Sequence, residues 1–235
     1  MVPSPHWTTV RGPTFIRLLA RLTDVDVASS RQSLSDRLSH WLDWSHAVAL
    51  STVLDGRPST DGLDAPTFGS AEEDECARAR STMALSIAGD RAFTGESGIG
   101  ETSDYATFRQ RYLAMQRKMQ ATTGHLRGRL RDMLALRSPE MAQLAAVDAV
   151  MERALSPREQ MLLAAVPHVL GQHFERLQEA AQRVPSDEHA TQDAPAATPG
   201  AWLDGFRRDM LSVLLAELDV RFQPVEGLLE ALRTR

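Results

Sequence analysis

Cysteine and lysine are almost missing from this chain of 235 residues. Cys76 is the single cysteine, so the chain can form neither an internal disulfide nor a zinc site built from several cysteines. Lys118 is the single lysine, and no Gly-Lys-Ser/Thr sequence of the kind that holds nucleotide phosphates occurs. Acidic residues flank Cys76 and disfavour a thiolate, so we expect this side chain to be packed rather than reactive.

Aromatic residues and long apolar runs are also scarce. Aromatic side chains make up 6% of the sequence, which leaves little material for β-structure. The longest apolar run without a charge, residues 161–174, is shorter than the ~20 residues that span a bilayer, and it contains Pro167. The first residues, MVPSPHWTTVRGP, lack the basic start and apolar stretch of a signal peptide. We therefore expect a soluble, cytoplasmic protein without membrane insertion.

Sequence signatures of catalysis and metal binding are missing as well. Neither Glu-x-x-His nor Gly-x-Ser-x-Gly occurs, and neighbouring histidines lie five or six residues apart, so they point in different directions on a helix. In SDRLSHWLDWSH, residues 35–46, the side chains of Asp36, His40 and Asp43 share one side of a helix. A solvated or helix-capping role accounts for them better than a cation site. We expect no enzymatic activity, no cofactor and no metal.

A hydrophobic period of 3.6 residues dominates the chain, which predicts an all-α helical bundle of roughly seven to eight helices. We interpret Trp41 as part of an apolar helix stripe, with Trp44 at its edge. Serine–proline pairs mark two helix starts, and Pro167 should kink the second of these helices. The predicted helices cover 14–23, Ser30 to 55, 71–88, 104–137, one from 138, one from 156, 202–222 and 224–232.

The predicted organisation has four parts, because composition changes sharply near the C-terminus. Residues 1–13 form a disordered N-terminus, and 14–183 form a helical domain. The stretch VPSDEHATQDAPAATPG, residues 184–200, is an acidic linker rich in Pro and Ala, a composition typical of disorder. Residues 201–235 form C-terminal helices that pack on the bundle or on a partner.

The longest predicted helix, 104–137, carries a narrow apolar stripe. At 1.5 Å per residue this amphipathic helix is ~50 Å long. The stripe stays within ~40° of one direction over about seven turns, as in a seam that two helices share in a coiled coil or bundle. We infer self-association through this seam. The seam residues are Phe108, Tyr112, Met115, Met119, Thr122, Leu126, Leu130 and Met133.

Basic side chains flank the seam, and they form the candidate interaction surface. Residues 104–137 contain eight basic and two acidic residues, a net charge of +6, whereas the whole chain carries −5. Three interpretations stay open: a solvated surface, pairing with an acidic partner or with the chain's own acidic stretch 61–76, and contact with a nucleic-acid backbone. A helix-turn-helix over 15–38 is a further alternative. The surface consists of Arg109, Arg111, Arg117, Lys118, Arg127, Arg129 and Arg131.

Three blocks of the sequence resemble a known family. They are GPTFIRLLARLTDVDVASSRQSLSDRLSHWLDWSHAVALS, YLAMQRKM and SPEMAQLAAVDAVMERAL, and they are similar to an uncharacterised proteobacterial family of unknown function. Genes of that family lie beside genes for MotA/ExbB-like and OmpA/MotB-like proteins, which form ion-driven motors. This arrangement is similar to Zorya-type phage defence with two extra cytosolic components. The resemblance implies a cytosolic accessory protein and assigns no functional residue.

These observations together predict a non-enzymatic helical interaction protein, an accessory of a membrane motor system in anti-phage defence. We expect it to form a homo-oligomer, to bind a second cytosolic protein of the same locus, or both. The alternative is a nucleic-acid-binding protein that contacts DNA through the basic helix 104–137.

Overall fold

The computed structural model of the chain describes residues 14–23, 33–56, 68–94, 104–183 and 200–233. Every regular element within these ranges is a helix, so the predicted all-α fold is confirmed. The predicted disorder of 1–13 and nearly all of the predicted linker lie outside the described residues. The helices are α1 (Thr14–Thr23), α2 (Leu34–Trp41), α3 (Trp44–Asp55), α4 (Ser70–Ala88), α5 (Arg91–Thr94), α6 (Tyr105–Arg137), α7 (Pro139–Ala164), α8 (Val166–Arg183) and α9 (Ala201–Arg233).

Helix α9 lies at the centre of the bundle. It contacts α1, α4, α5, α6 and α8, and it contributes more buried side chains than any other described helix. Helix α6 packs along α7 and α9. At one end of the core, the Phe206 ring meets Phe108 and Phe174 edge to face, with centroid distances of 5.3 and 5.0 Å. The C-terminal helix therefore belongs to the same hydrophobic core as the helices that precede it.

Helices α7 and α8 form one bent helix of 45 residues. Only Ala165 separates them, and its backbone stays in the right-handed helical region. Pro167 has no N–H to donate to the carbonyl of Leu163 one turn earlier, and its ring crowds that carbonyl. The kink predicted at Pro167 is therefore present, and it has the usual physical cause.

Two other prolines do not end a helix. Helix α7 runs through Pro157 and α9 runs through Pro224, so the separate helices predicted from residues 156 and 224 are wrong. A proline inside a helix costs about 3 kcal/mol. In α9 the burial of Phe222 and Val225 on both sides of the proline offsets that cost, because each such side chain contributes about 2 kcal/mol when it leaves water.

The helix predicted from Ser30 to residue 55 is instead two helices. Ser33, rather than Ser30, is the N-cap of α2, and it forms a capping box with Asp36. Asp43 then starts α3, where its carboxylate accepts a hydrogen bond of 2.9 Å from the backbone N–H of His46. In a continuous helix, the amides of this turn would donate to carbonyls one turn earlier. Here the Asp43 side chain accepts a hydrogen bond instead, so a new helix starts and the segment is divided in two.

Candidate functional site

The apolar seam of α6 lies inside the molecule. Helices α7 and α9 of the same chain lie along α6, and the seam side chains belong to the common core or pack against it. A second copy of the chain therefore cannot reach the seam, and self-association stays a prediction that needs another surface. The buried members are Phe108, Tyr112, Met119, Leu126 and Leu130, and the partly buried members are Met115, Thr122 and Met133.

Two arginines of the candidate basic surface join α6 to α7. Arg127 contacts Asp148 through two hydrogen bonds of 2.9 and 2.6 Å, and Arg131 lies 2.5 Å from Glu152. Burial alone would lower the pKa of the Arg127 guanidinium, but the hydrogen bond to Asp148 and the nearby carboxylates of Asp148, Glu152 and Glu159 together raise it. The two arginine side chains are 15% and 20% exposed. The prediction that they face solvent, a partner or nucleic acid is therefore wrong.

A third arginine of this surface binds the acidic start of α4. Arg129 forms an ion pair with Glu75, and Arg233 of α9 lies 2.7 Å from Glu73. Pairing of α6 with the chain's own acidic stretch was one of the three open interpretations, and for Arg129 it is confirmed. The part of that stretch before residue 68 lies outside the described residues.

The remaining members of the basic surface lie nearer to solvent. The Arg111 guanidinium is 4.0 Å from the Asp90 carboxylate, and Lys118 donates a hydrogen bond of 3.1 Å to the Ser86 hydroxyl. Within the described ranges, two of the seven basic side chains make neither an ion pair nor a hydrogen bond. These two are Arg109 and Arg117.

A buried polar network that was not predicted joins α6 to α9. Glu217 is fully buried, and its carboxylate accepts hydrogen bonds from Tyr112 (2.7 Å), Gln116 (3.1 Å) and Arg221 (2.8 Å). Burial, and then the neighbouring Glu217 carboxylate, raise the pKa of Tyr112 well above its ordinary value. The phenol therefore keeps the proton that it donates. Three donors satisfy a charge that would otherwise be very costly in the core.

The same network reaches the kink between α7 and α8. The Gln116 amide donates a hydrogen bond of 3.0 Å to the carbonyl of Leu163. The usual donor to that carbonyl is the backbone N–H of residue 167, which proline lacks. Gln116 thus links the buried carboxylate of α9 to the backbone group that Pro167 leaves without its helical partner.

A cleft of about 260 Å³ opens where α6, α7 and α9 meet, directly beside the network. Its charged lining side chains are Arg117 and Arg221, and no acidic side chain lines it. Glutamine amides of α6 and α7 and an apolar wall complete the lining. The cleft thus combines positive charge, hydrogen-bonding groups and apolar surface.

The acidic residues of the stretch 35–46 act as helix caps. Besides the capping box of Asp36, the Asp43 carboxylate accepts a hydrogen bond of 2.6 Å from the Ser45 hydroxyl. This hydrogen bond, and then the one from the His46 backbone, lower the pKa of Asp43. Across the described ranges, no three His, Cys, Asp or Glu side chains converge in a way that could hold a metal.

Helix α3 presents an apolar face to solvent. None of its side chains is buried, and Trp44 is 83% exposed, with Val48 at 46% and Leu54 at 56%. The interpretation of this segment as a buried stripe is therefore wrong for α3. The physical reason is that, among the helices the structure describes, α3 packs mainly against α7, and its apolar side chains on the other side stay exposed.

Two polar contacts attach α2 and α3 to α7. The Arg158 guanidinium lies over the Trp41 ring, 5.2 Å from its centroid, as in a cation–π contact. The Gln143 amide donates to the carbonyls of Val53 (3.2 Å) and Leu54 (2.8 Å) in the last turn of α3. Gln143 thereby satisfies carbonyls that have no partner within the helix.

Residues 1–234 match DUF3348, a family described as proteins of unknown function. The chain belongs to this family. The resemblance to an uncharacterised family is thereby confirmed, and the family description names no activity or partner. No curated protein and no solved structure matches the chain. In the part of this DUF3348 protein that the structure describes, no helix has the length and apolar character needed to cross a membrane.

Sequence reasoning missed Glu217 and Arg221, although they leave a signal. They are four residues apart in LLAELDVRF of α9, where Asp219 is the one other charged residue, so they share one helix face. A charged pair at this spacing within a core-forming helix indicates an internal ion pair. In this DUF3348 protein Arg221 lines the cleft, whereas its partner Glu217 is fully buried and does not.

Proposed function

We propose that this protein is a non-catalytic interaction protein that binds a partner protein through the exposed face of α3. The observation that carries the proposal is Trp44, 83% exposed on a helix without a buried side chain. Exposed apolar patches typically mark protein-binding sites, and tryptophan is among the residues that contribute most binding energy at interfaces.

The geometry of this face favours a partner with an apolar groove. Trp44 and Val48 are four residues apart and lie one above the other on the helix. No Asp, Glu, Lys or Arg occurs between Trp44 and Leu54. Anchors at this spacing insert into an apolar groove of a partner, as amphipathic helices do in many complexes.

The proposed setting is the cytosol beside an ion-driven membrane motor, within anti-phage defence of the Zorya type. The support is the resemblance of the chain to a family whose genes lie beside MotA/ExbB-like and OmpA/MotB-like genes. The proposed partner is the second cytosolic protein of the same locus. This protein would then act as an accessory subunit that connects the motor to that partner.

Binding of nucleic acid through α6 stays an untested prediction. Phosphate contact requires several clustered cations, because each contact adds one released counterion. Three of the seven basic side chains are engaged by acidic residues of α4 and α7. The α6 surface that remains is therefore a weak basis for DNA binding.

The test is binding of the purified chain to the other cytosolic protein of its locus, measured by calorimetry with wild type and two variants. Trp44→Ser should weaken binding about 30-fold or more, as for an interface hot spot. Leu85→Ser is the matched control, because Leu85 is 73% exposed on α4, outside the proposed surface. It should bind as the wild type does.

Three outcomes would contradict the proposal. They are no binding by the wild type, equal losses for the two variants, and unchanged binding for Trp44→Ser. Light scattering on the same samples covers a further possibility. A dimer that Trp44→Ser dissociates would show that a second copy, and not the other cytosolic protein, occupies the α3 face.

A further inference from the structure

We propose that the cleft between α6, α7 and α9 binds a small organic acid. This inference goes beyond the proposed partner binding and does not depend on it, since the cleft and the α3 face involve different residues. The argument rests on hydrogen-bond donors that converge on the cleft, on the lack of an acidic lining, and on the size and apolar wall of the cleft.

The first donor is Arg221, which is held in a fixed position. Its side chain is 7% exposed, and its Nε and Nη2 atoms each lie 2.8 Å from the Glu217 carboxylate. Its Nη1 atom is 3.8 Å from Glu159, too far for a hydrogen bond. A buried guanidinium thus keeps one nitrogen with unused hydrogen-bond donors at the cleft floor, and the network prevents it from turning away.

The second donor group lies at the cleft wall. Arg117 makes no ion pair in the described part of the chain, and the Gln120 and Gln160 amides make no hydrogen bond there. All three line the cleft. Guanidinium groups bind a carboxylate through two parallel hydrogen bonds, and amide N–H groups can complete its coordination. The four side chains therefore form a site for a carboxylate.

The apolar wall and the size of the cleft indicate which group the carboxylate should be attached to. Leu113, Leu163 and Ala164 form an apolar wall beside the donors. The volume of about 260 Å³ lies below the roughly 300–1,000 Å³ of pockets for drug-sized ligands, so a nucleotide does not fit. A carboxylic acid with a short aliphatic chain matches both the charge and the apolar wall.

A bound acid would contact three helices at the bend between α7 and α8. A ligand that binds only the folded state stabilises that state by RT ln(1 + [L]/Kd), so the stabilisation keeps rising with ligand concentration. The acid should therefore stabilise the packing of α6 against α9 and α7, and thermal unfolding should move upward with its concentration.

The experiment is a titration of the full chain, followed by ¹H–¹⁵N NMR of the glutamine side-chain amides. The probes are sodium hexanoate, its neutral analogue hexanamide, and sodium acetate. We expect saturable one-site shifts with hexanoate, and binding of hexanamide weaker by about tenfold or more because it offers no charge to the arginines. Acetate should bind more weakly than hexanoate, since it lacks the apolar body.

Two substitutions on α6 test the role of Arg117. Arg117→Leu should weaken hexanoate binding about tenfold or more, since it removes a charged donor from the cleft. Arg109→Leu is the matched control, because Arg109 is an exposed cation of the same helix that does not line the cleft. It removes the same charge and should leave binding unchanged.

The proposal is overturned if hexanoate gives no saturable shifts, or if hexanamide binds as well as hexanoate. Equal losses for Arg109→Leu and Arg117→Leu would also overturn it, because they would reflect net charge alone. Binding to the partner protein is measured separately on the same samples, so failure of this inference is distinguishable from failure of the α3 proposal.

Discussion

Glu217 and Arg221 show how a charged pair is kept inside an apolar helix. The glutamate is fully buried, and its side chain receives donors from two helices. Such a pair contributes little net stability by itself, because removing both charges from water costs several kcal/mol. Removing one partner is different, since it leaves the other charge buried without its counterion. At this position the effect of a substitution therefore depends on which charges remain.

Replacing Arg221 by methionine should destabilise the fold by about 3–5 kcal/mol, because the buried Glu217 side chain would lose its ion-pair partner. The double variant Glu217→Met/Arg221→Met should be more stable than Arg221→Met alone. Urea unfolding followed by circular dichroism measures both values. Arg109→Met is the control at an exposed position, and its change in the free energy of unfolding should lie near zero. A loss for Arg221→Met as small as that of the control would contradict the buried pair.

Cys76 should be unreactive in the folded protein. Its side chain is 5% exposed, and burial, followed by the nearby Glu75 carboxylate, raises the pKa of its thiol. The thiolate is the reactive form, so a thiol reagent should modify native protein about tenfold or more slowly than urea-unfolded protein. Ellman's reagent at pH 8 measures both rates. Equal rates in the two states would show that Cys76 is open to solvent.

Helix α3 depends strongly on its own caps. It contacts α7 but buries no side chain, whereas α9 is enclosed by five other helices. Local opening is easiest where few apolar contacts hold an element. The hydrogen bonds at Asp43 and Gln143 therefore matter more for α3 than comparable bonds would for α9.

Removal of the Asp43 cap should open α3 without unfolding the bundle. In Asp43→Ala we expect the amides of α3 to exchange with solvent about fivefold faster, while those of α9 keep their wild-type protection. Hydrogen exchange with mass spectrometry separates the two helices. Asp55→Ala, at the other end of the same helix, is the control. Faster exchange in α9 would mean that α3 is coupled to the core.

The same cap should make α3 sensitive to acid. The folded-state pKa of Asp43 is lowered, first by the Ser45 hydroxyl. A carboxylate with a lowered pKa stabilises the folded state above its unfolded-state pKa, and that contribution disappears as the pH falls through the folded-state value. Below about pH 4 the amides of α3 should therefore lose protection from exchange, relative to the amides of helices that Asp43 does not cap. In Asp43→Ala this additional acid sensitivity should be absent.

Elements with strong local signals were predictable, and those decided by distant contacts were not. The start of α6 at Asp104 and the kink at Pro167 follow from side chains within one turn. Pro224 has the same local signal as Pro167, yet α9 continues because both of its halves enter one core. Likewise, Arg127 meets Asp148 only because α7 folds back along α6, which no local pattern in α6 reveals.

For the molecule as a whole, the C-terminal helix that follows the predicted linker 184–200 packs on the bundle, one of the two alternatives predicted for it. Helix α9 shares its core with α1, α4, α5, α6 and α8, so neither side of the linker can bury its apolar surface alone. The predicted seam of α6 is part of this core. Sequence periodicity identified the seam, but it could not distinguish a partner within the chain from a second copy.

Two separate chains, residues 1–183 and 201–235, should therefore associate when they are co-expressed. We expect them to co-purify as a 1:1 complex with the helical content of the intact protein. Leu214→Asp in the shorter chain should abolish association, because Leu214 is fully buried. Gln223→Asp, at an exposed position of α9, should not. Stable folding of residues 1–183 alone would contradict a shared core.

The central position of α9 also determines when this protein can fold during synthesis. Helix α9 is translated after α1 to α8, so the apolar side of α6 has no α9 to cover it until residue 233 has been made. At the usual rates of translation that interval lasts about 5–20 seconds. Throughout that time a helix rich in methionine and leucine is open to other nascent chains, so correct folding in the cell should depend on chaperones that bind early.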